Sequence, residues 1–324
     1  MIGEDSAGFA GPGRPEARAD GELVADTAVE SLGAGRYRAR VTDRWSVGVG
    51  PNGGYLAAIL LRAVLAELDG RAPVALSAQF LERPFAGPAE VVVEVAREGR
   101  RHAVALARLV QEERPRVLAT VTVGVPAPAD EPRLGPPPPL VPPPGRCAPV
   151  SPRWRRPHRA DPSGEERAGG EREARRPRRS TPGLEEVSLW DRLEFRVADP
   201  AGLFFFREAP GPAATEAWVR LADGGRADAL AVPVFLDGLP PALFSHTLGP
   251  DPLGAPTLEI GVHWRDRVGE GWHYARLASR LWRAGYVEED GELWSEDGRL
   301  VAMSRQLAIA VGPDAHGVVR VGAP

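Results

Sequence analysis

The chain of 324 residues exceeds the usual span of one domain, so two domains are the first expectation. Its 43% hydrophobic and 26% charged residues suit a soluble protein with substantial cores. The formal net charge of −4 excludes a general nucleic-acid binder, which would carry a basic excess. Every basic residue is arginine and none is lysine, a bias that accompanies the abundant Ala, Gly and Pro of a GC-rich coding sequence.

A single cysteine, Cys147, allows no internal disulfide. No CxxC pair or Cys/His cluster offers a zinc site, and no cofactor is expected. Residues 1–20 lack a basic region followed by an apolar run, so no signal peptide is expected. The longest apolar stretch, residues 55–68, is cut by Arg62 and is too short to span a bilayer. A cytoplasmic location is expected.

Residues 1–27 read as a flexible N-terminus, and regular patterning begins at residue 28. A strand is predicted at 37–42. Asn52 is then placed to cap a helix over 55–68, with Leu56, Ile59, Leu60, Val64 and Leu65 at helical spacing. Ala57, Ala58, Leu61 and Ala63 make that helix apolar nearly all round, which places it inside protein. Asp69 and Gly70 end it. Strands are predicted at 74–80, 89–97, 103–111 and 117–125, separated by short turns. One buried helix inside an antiparallel meander is the hotdog arrangement, an α+β fold.

Residues 126–183 differ. They open on a proline-rich run, 136–144, that favours extended polyproline conformation. Residues 146–180 follow with eleven arginines against five acidic residues. So little apolar surface cannot offset the ordering entropy, and a disordered linker is expected. The arginines could meet nucleic acid or the phosphates of coenzyme A, or form a tolerated surface insertion, which is the simpler account.

From residue 184 to 311 the first order of elements returns, and 312–324 reads as a tail. Strands are predicted at 193–197, 215–221, 257–264, 272–282, 286–295 and 300–311, with a short helix opened by Asp237. Arg116-Val117-Leu118-Ala119 and Arg299-Leu300-Val301-Ala302 each follow a turn and start a last long strand. A repeat of this size means duplicated domains, a tandem or double hotdog.

Gly50-Pro51-Asn52-Gly53-Gly54-Tyr55-Leu56-Ala57 and Gln79-Phe80-Leu81-Glu82-Arg83-Pro84 resemble the N-terminal half of the acyl-CoA thioesterase II family. Residues 290–306, which begin Asp290-Gly291-Glu292-Leu293-Trp294 and end Met303-Ser304-Arg305-Gln306, resemble its C-terminal end. The resemblance covers about 44–125 and 218–311 and omits the arginine-rich insert. It implies a double-hotdog enzyme that hydrolyses acyl-CoA, with self-association as a further implication. It also implies a site of three residues: Asp237 in Phe235-Leu236-Asp237-Gly238, Thr257 after Pro256, and Gln306 on the final strand.

Thioester hydrolysis needs a held water, a base for its proton, and donors for the developing oxyanion. Asp237 suits the base, with Thr257 and Gln306 orienting the water. Each also has a plainer reading. Asp237 before Gly-Leu-Pro looks like a helix N-cap. Thr257 simply starts a strand. Gln306 shares a strand face with Ala302, Ser304, Ala308 and Ala310, which leaves room around it but also suits a solvated face. Asn52, Gly53 and Gly54 at a helix start suit a substrate carbonyl or phosphate, and equally suit close helix packing. Trp264, Trp272, Trp282 and Trp294 read as core residues before an acyl-pocket wall.

No G-x-S-x-G elbow supports an α/β-hydrolase thioesterase, and neither a P-loop nor a dinucleotide fingerprint is present. The six histidines lack metal-ligand spacing. Two alternatives stay open: a non-catalytic acyl-CoA or acyl-carrier binding protein, and an enoyl-thioester hydratase, which would need a histidine beside Asp237 in space.

Overall fold

The computed structural model describes residues 21–47, 50–126, 128, 134–150, 188–200, 211–246 and 254–311. The predicted buried helix is α2 (Gly53–Glu67). Asn52 caps it, its side chain accepting from the Tyr55 amide, and ten of its residues from Gly54 to Val64 are buried. Before it come a short helix α1 (Glu22–Asp26), strands β1 (Val29–Gly33) and β2 (Arg36–Val41), and a small pair, β3 (Ser46–Val47) with β4 (Gly50–Pro51). Helix α1 lies in the segment expected to be flexible. It is held by the buried Leu23 and by an Arg192–Glu22 ion pair at 2.6 Å.

Strands β5 (Ala72–Phe80), β6 (Gly87–Glu98), β7 (His102–Gln111) and β8 (Arg114–Gly124) follow α2. The later half carries β9 (Ala148–Val150), β10 (Leu193–Val197), β11 (Ala214–Leu221), helix α3 (Ala231–Leu236) and β12 (Thr257–Trp264). Then come β13 (His273–Ala278), β14 (Trp282–Arg283), β15 (Tyr286–Ser295) and β16 (Leu300–Ile309). The strand predicted over 272–282 is thus broken in two, and β14 pairs separately with β15.

Among the described residues, fourteen strands form one antiparallel sheet in the order β1-β2-β6-β7-β8-β5-β12-β16-β15-β13-β11-β10-β9, with β14 beside β15. Read inward from either edge, the order repeats. The strand β2 or β11, which precedes the helix, is followed by β6, β7 and β8 in one half and by β13, β15 and β16 in the other, and the first strand after the helix (β5 or β12) lies innermost. The two innermost strands meet antiparallel, Gly261 opposite Ser77, and make the halves one sheet. Helices α2 and α3 pack on each other and on this sheet, and one apolar core runs through both halves.

The second-half helix is not where the sequence pattern places it. Helix α3 ends at Leu236, so Asp237 follows the helix rather than opening it. The start signal is Asp228, whose carboxylate accepts from the Leu230 amide at 2.8 Å. Gly238 and the prolines beyond it are stop signals, which share residue types with start signals. Pro233 is tolerated because it falls in the first turn, where no intrahelical donor is needed.

Part of the expected linker is ordered on the sheet. Residues 134–144 run to a short turn, Pro144–Arg146, and then into β9, which pairs with β10. The Pro142 carbonyl accepts from Trp218 Nε1 at 2.9 Å and from Cys147 Sγ at 3.4 Å. Beneath this strap Trp218, Tyr274, Trp294 and Cys147 form a separate buried cluster. Residues 151–187, with most of the arginine-rich run, lie outside the described residues.

Candidate active site

Helices α2 and α3 touch because Gly54 carries no side chain, and Gly53 makes room for a ring of β5. A Cβ on Gly54 would stand 2.1 Å from the Pro233 carbonyl oxygen, and one on Gly53 would stand 2.7 Å from the Phe80 ring. The contact delivers Asp237, at the end of α3, to the first turn of α2. Its Oδ2 accepts from the Gly54 amide and from Asn52 Nδ2, each at 2.8 Å. Asn52 Nδ2 also donates to the Asp237 backbone carbonyl at 2.8 Å, while Asn52 Oδ1 accepts from the Tyr55 amide. Asp237 does cap a helix, but the helix belongs to the other half of the chain.

The second element is a chain of hydrogen bonds on the sheet. Thr257, first residue of β12, donates its hydroxyl to Gln306 Oε1 at 3.0 Å. Gln306 Nε2 donates to Glu289 Oε1 on β15 at 2.6 Å. Glu289 Oε2 accepts from the Ala242 amide at 2.5 Å, at the start of the Ala242–Ser245 turn. Gln306 and Glu289 are 7% and 5% exposed, so neither is part of a solvated face.

Two carboxylates therefore stand in one region with N–H donors around them. Asp237 is enclosed on nearly every side, though part of its surface stays open to solvent. Burial drives its pKa up to about 6, and hydrogen bonds from Gly54, Asn52 and Gly53 offset only part of that rise. Burial raises Glu289 to about 7, partly offset by Ala242 and Gln306, and the nearby charge of Asp237 adds to the rise. A proton is consequently easier to hold here than on surface carboxylates.

Of the residues singled out from the sequence, Thr257 and Gln306 are in direct contact, and Asp237 faces the same region through its charge on Glu289. Asn52, Gly53 and Gly54, expected at the substrate, lie around Asp237. The Asn52 side chain and the Gly54 amide are both taken up there, and a side chain would collide with α3 at Gly54 and with Phe80 of β5 at Gly53. Glu289 was missed. The signal is the alternation in β15, where Val287, Glu289, Gly291 and Leu293 are buried and Glu288 and Asp290 are not. An acid on the inward face of a strand needs a reason.

An apolar cluster continues from the polar chain. Leu243, Val287, Ala308 and Ala310 are buried together, with Phe244, Ala255 and Trp282 packed against them. Ala308 lies two residues beyond Gln306 on the same face, and Val287 two before Glu289. Of the four tryptophans weighed above, Trp282 borders this cluster. Trp264 packs in the main core, Trp294 lies beneath the strap, and Trp272 is under the guanidinium groups of Arg196 and Arg220. No histidine among the described residues hydrogen-bonds Asp237. His246 faces the Gly211 carbonyl, and the buried His273 packs against the Phe235 ring at a tilt. No group of three or more metal-ligating side chains occurs among the described residues.

Comparison with known proteins gives the chain's family and fold. The acyl-CoA thioesterase N-terminal domain family matches residues 41–124, and the acyl-CoA thioesterase C-terminal domain family matches residues 122–310. The crystal structure of a candidate thioesterase II from Thermobifida fusca is 29% identical, with a TM-score of 0.73, covering 89% of this chain and 98% of that one. A hotdog-fold protein of unknown function from Alicyclobacillus acidocaldarius is 21% identical with a TM-score of 0.71, covering 90% and 98%, and shares the fold. So does an acyl-CoA thioesterase II from Mycobacterium marinum, 16% identical with a TM-score of 0.64, covering 90% and 99%. An uncharacterised protein of Mycobacterium tuberculosis is 32% identical over 96 residues, which are 28% of this chain and 33% of that protein. The match spans about a third of that curated relative's length. The fold is a hotdog fold. No helix among the described residues is long and apolar enough to cross a membrane.

Proposed function

Because the chain belongs to the acyl-CoA thioesterase family, we propose that it hydrolyses acyl-CoA to a free acid and coenzyme A with a water activated by Asp237, Thr257 and Gln306. In this reading the two equivalent strand sets are two hotdog units in tandem, each wrapped on its own helix, α2 or α3. The site belongs to both, because the second unit's Asp237 is held by the first unit's helix.

The observation that supports the reading best is the division of labour at Asp237. Asn52 and Gly54 hold Oδ2, which leaves Oδ1 to take a proton from water. A base with a pKa near 6 is ionised at neutral pH yet still basic enough to accept that proton. Thr257 gives its own proton to Gln306, so its oxygen is free to accept the second hydrogen of the same water. The water then presents a lone pair to the thioester carbon.

Attack forms the new C–O bond and moves the carbonyl π electrons onto oxygen, while the water's proton passes to Asp237. The second hydrogen on Gln306 Nε2, not used by Glu289, is the donor assigned to that oxyanion. Collapse of the intermediate breaks the C–S bond, and Asp237 returns the proton to the coenzyme A sulfur. The acyl group would lie against the Leu243, Val287, Ala308 and Ala310 cluster.

A panel of acyl-CoAs of graded chain length, followed by thiol release in water enriched in oxygen-18, tests this. Thiol release with one labelled oxygen in the acid supports it. Acyl-CoA binding without release would favour the binding-protein alternative, and loss of enoyl absorbance without thiol release would favour the hydratase.

A further inference from the structure

The mechanism above makes no use of Glu289, yet its carboxylate is the most deeply placed acid near the site. Its neighbours on β15 behave as surface acids do. Asp290 pairs with Arg305 at 2.6 Å, and Glu288 approaches Arg280. Glu289 points the other way, into protein, where its two oxygens meet N–H donors and no arginine: the Ala242 amide and Gln306 Nε2. A buried carboxylate is costly unless it is hydrogen-bonded, and this one has a second carboxylate, Asp237, near enough to oppose its charge. A glutamine or a leucine would fill the position at lower cost, so stability does not account for the acid.

Direction does. An amide side chain can present either end, and Gln306 sits between a group that accepts and a hydroxyl that can do both. An ionised carboxylate has no proton to give, so it admits only the nitrogen end of Gln306. The oxygen end is then turned to Thr257, whose hydroxyl must donate. We propose that Glu289 is a positioning residue that fixes the orientation of the Gln306 amide and, through it, commits Thr257 to accept a hydrogen from the attacking water. The proposal rests on the hydrolase reading above.

The substitution Glu289→Gln keeps the shape and removes the rule. The carbonyl oxygen of the new side chain would still meet the Ala242 amide, its NH2 would face Gln306, and the Gln306 amide would have to turn over. Thr257 would then receive an N–H instead of giving its proton. The experiment is a double-mutant cycle of Glu289→Gln with Thr257→Val, measuring kcat, KM and thermal unfolding with an acyl-CoA that the wild type hydrolyses.

Glu289→Gln is expected to lower kcat roughly 10- to 100-fold, with KM close to wild type and a melting temperature no lower. In the Thr257→Val background the same substitution should change kcat by less than about threefold, because its effect passes through Thr257. Glu289→Leu, which offers Gln306 no acceptor, replaces Glu289→Gln in the cycle should the latter not fold, with the same expected loss of effect in Thr257→Val. Undiminished kcat in the Glu289 variant, or effects that multiply in the double variant, overturn the positioning role alone. A wild type that hydrolyses no acyl-CoA overturns the hydrolase reading, and this role with it.

Discussion

Asp237, the residue just after α3, accepts a hydrogen bond at 2.8 Å from the amide of Gly54, in the first turn of α2. The bond joins the two halves of the chain at the point where their helices touch. On the proposed mechanism neither half would carry the site alone, and the geometry of Asp237 depends on how closely α2 and α3 approach.

Gly54→Ala tests that dependence. The added Cβ would meet the Pro233 carbonyl at 2.1 Å, so the helices must separate. Overpacking of this kind costs about 1–3 kcal/mol. Chemical denaturation should show that loss, and thiol release per folded molecule should fall further than stability does, because the Gly54 amide moves away from Asp237.

The pH dependence of stability carries a second prediction. Burial raises Asp237 from 3.8 to about 6 in the folded chain. A raised carboxylate stabilises the fold fully below its unfolded pKa, near 4, and that contribution is lost as pH rises through about 6. Asp237→Asn cannot ionise, so it should gain on the wild type between pH 4 and pH 7. With partial solvent access discounted, the gain is on the order of 1–2 kcal/mol. Urea unfolding of both proteins across that range checks it, and a pH-independent difference would contradict the assignment.

Activity should follow the opposite course. A base works when ionised, so kcat should rise with pH through about 6, the pKa of Asp237, and level off above neutrality. Glu289, raised to about 7, must also be ionised to hold Gln306, so Glu289→Gln should shift the rising limb to lower pH while lowering its plateau. A profile flat from pH 5 to 8 at saturating substrate would remove both carboxylates from the rate-determining step.

The strap over the sheet has its own reporter. Cys147 is the one cysteine of the chain, buried beneath residues 140–144, with its thiol pKa raised by burial. It should react slowly with iodoacetamide in the native protein. Trp218→Phe removes the indole donor to Pro142 and should speed alkylation about fivefold or more, corresponding to the roughly 1 kcal/mol of one hydrogen bond.

Much of this arrangement is legible in the sequence, for identifiable reasons. Helix α2 is apolar nearly all round, and a 15-residue helix of that kind belongs inside protein. The long strands alternate, and their turns are short. Helix α3 is misread because six residues make less than two turns and carry no periodicity, while Gly238-Leu239-Pro240-Pro241 offers a helix start and a helix stop alike. The strap is missed because its proline-rich composition signals extended chain, and composition does not reveal a carbonyl such as that of Pro142 under an indole.

The site is legible in its parts and not in its wiring. Gln306 among alanines is visible as a polar residue on a buried face, and Thr257 gains meaning only when β12 and β16 pair Ile260 with Gln306. Asn52, Gly53 and Gly54 mark a helix start from sequence, but the carboxylate that meets them is 183 residues away from Gly54. Glu289 could have been found by the alternation of β15, and was hidden among five other acidic residues in the run from 288 to 297 that face mostly outward.

The most direct test of the account is thiol release from one saturating acyl-CoA by the wild type and by Asp237→Asn, with folding verified by thermal unfolding. A general base contributes about 10²- to 10⁴-fold, and the account predicts a loss of kcat in that range by a variant that remains folded. An Asp237→Asn protein that turns over as fast as the wild type would contradict it.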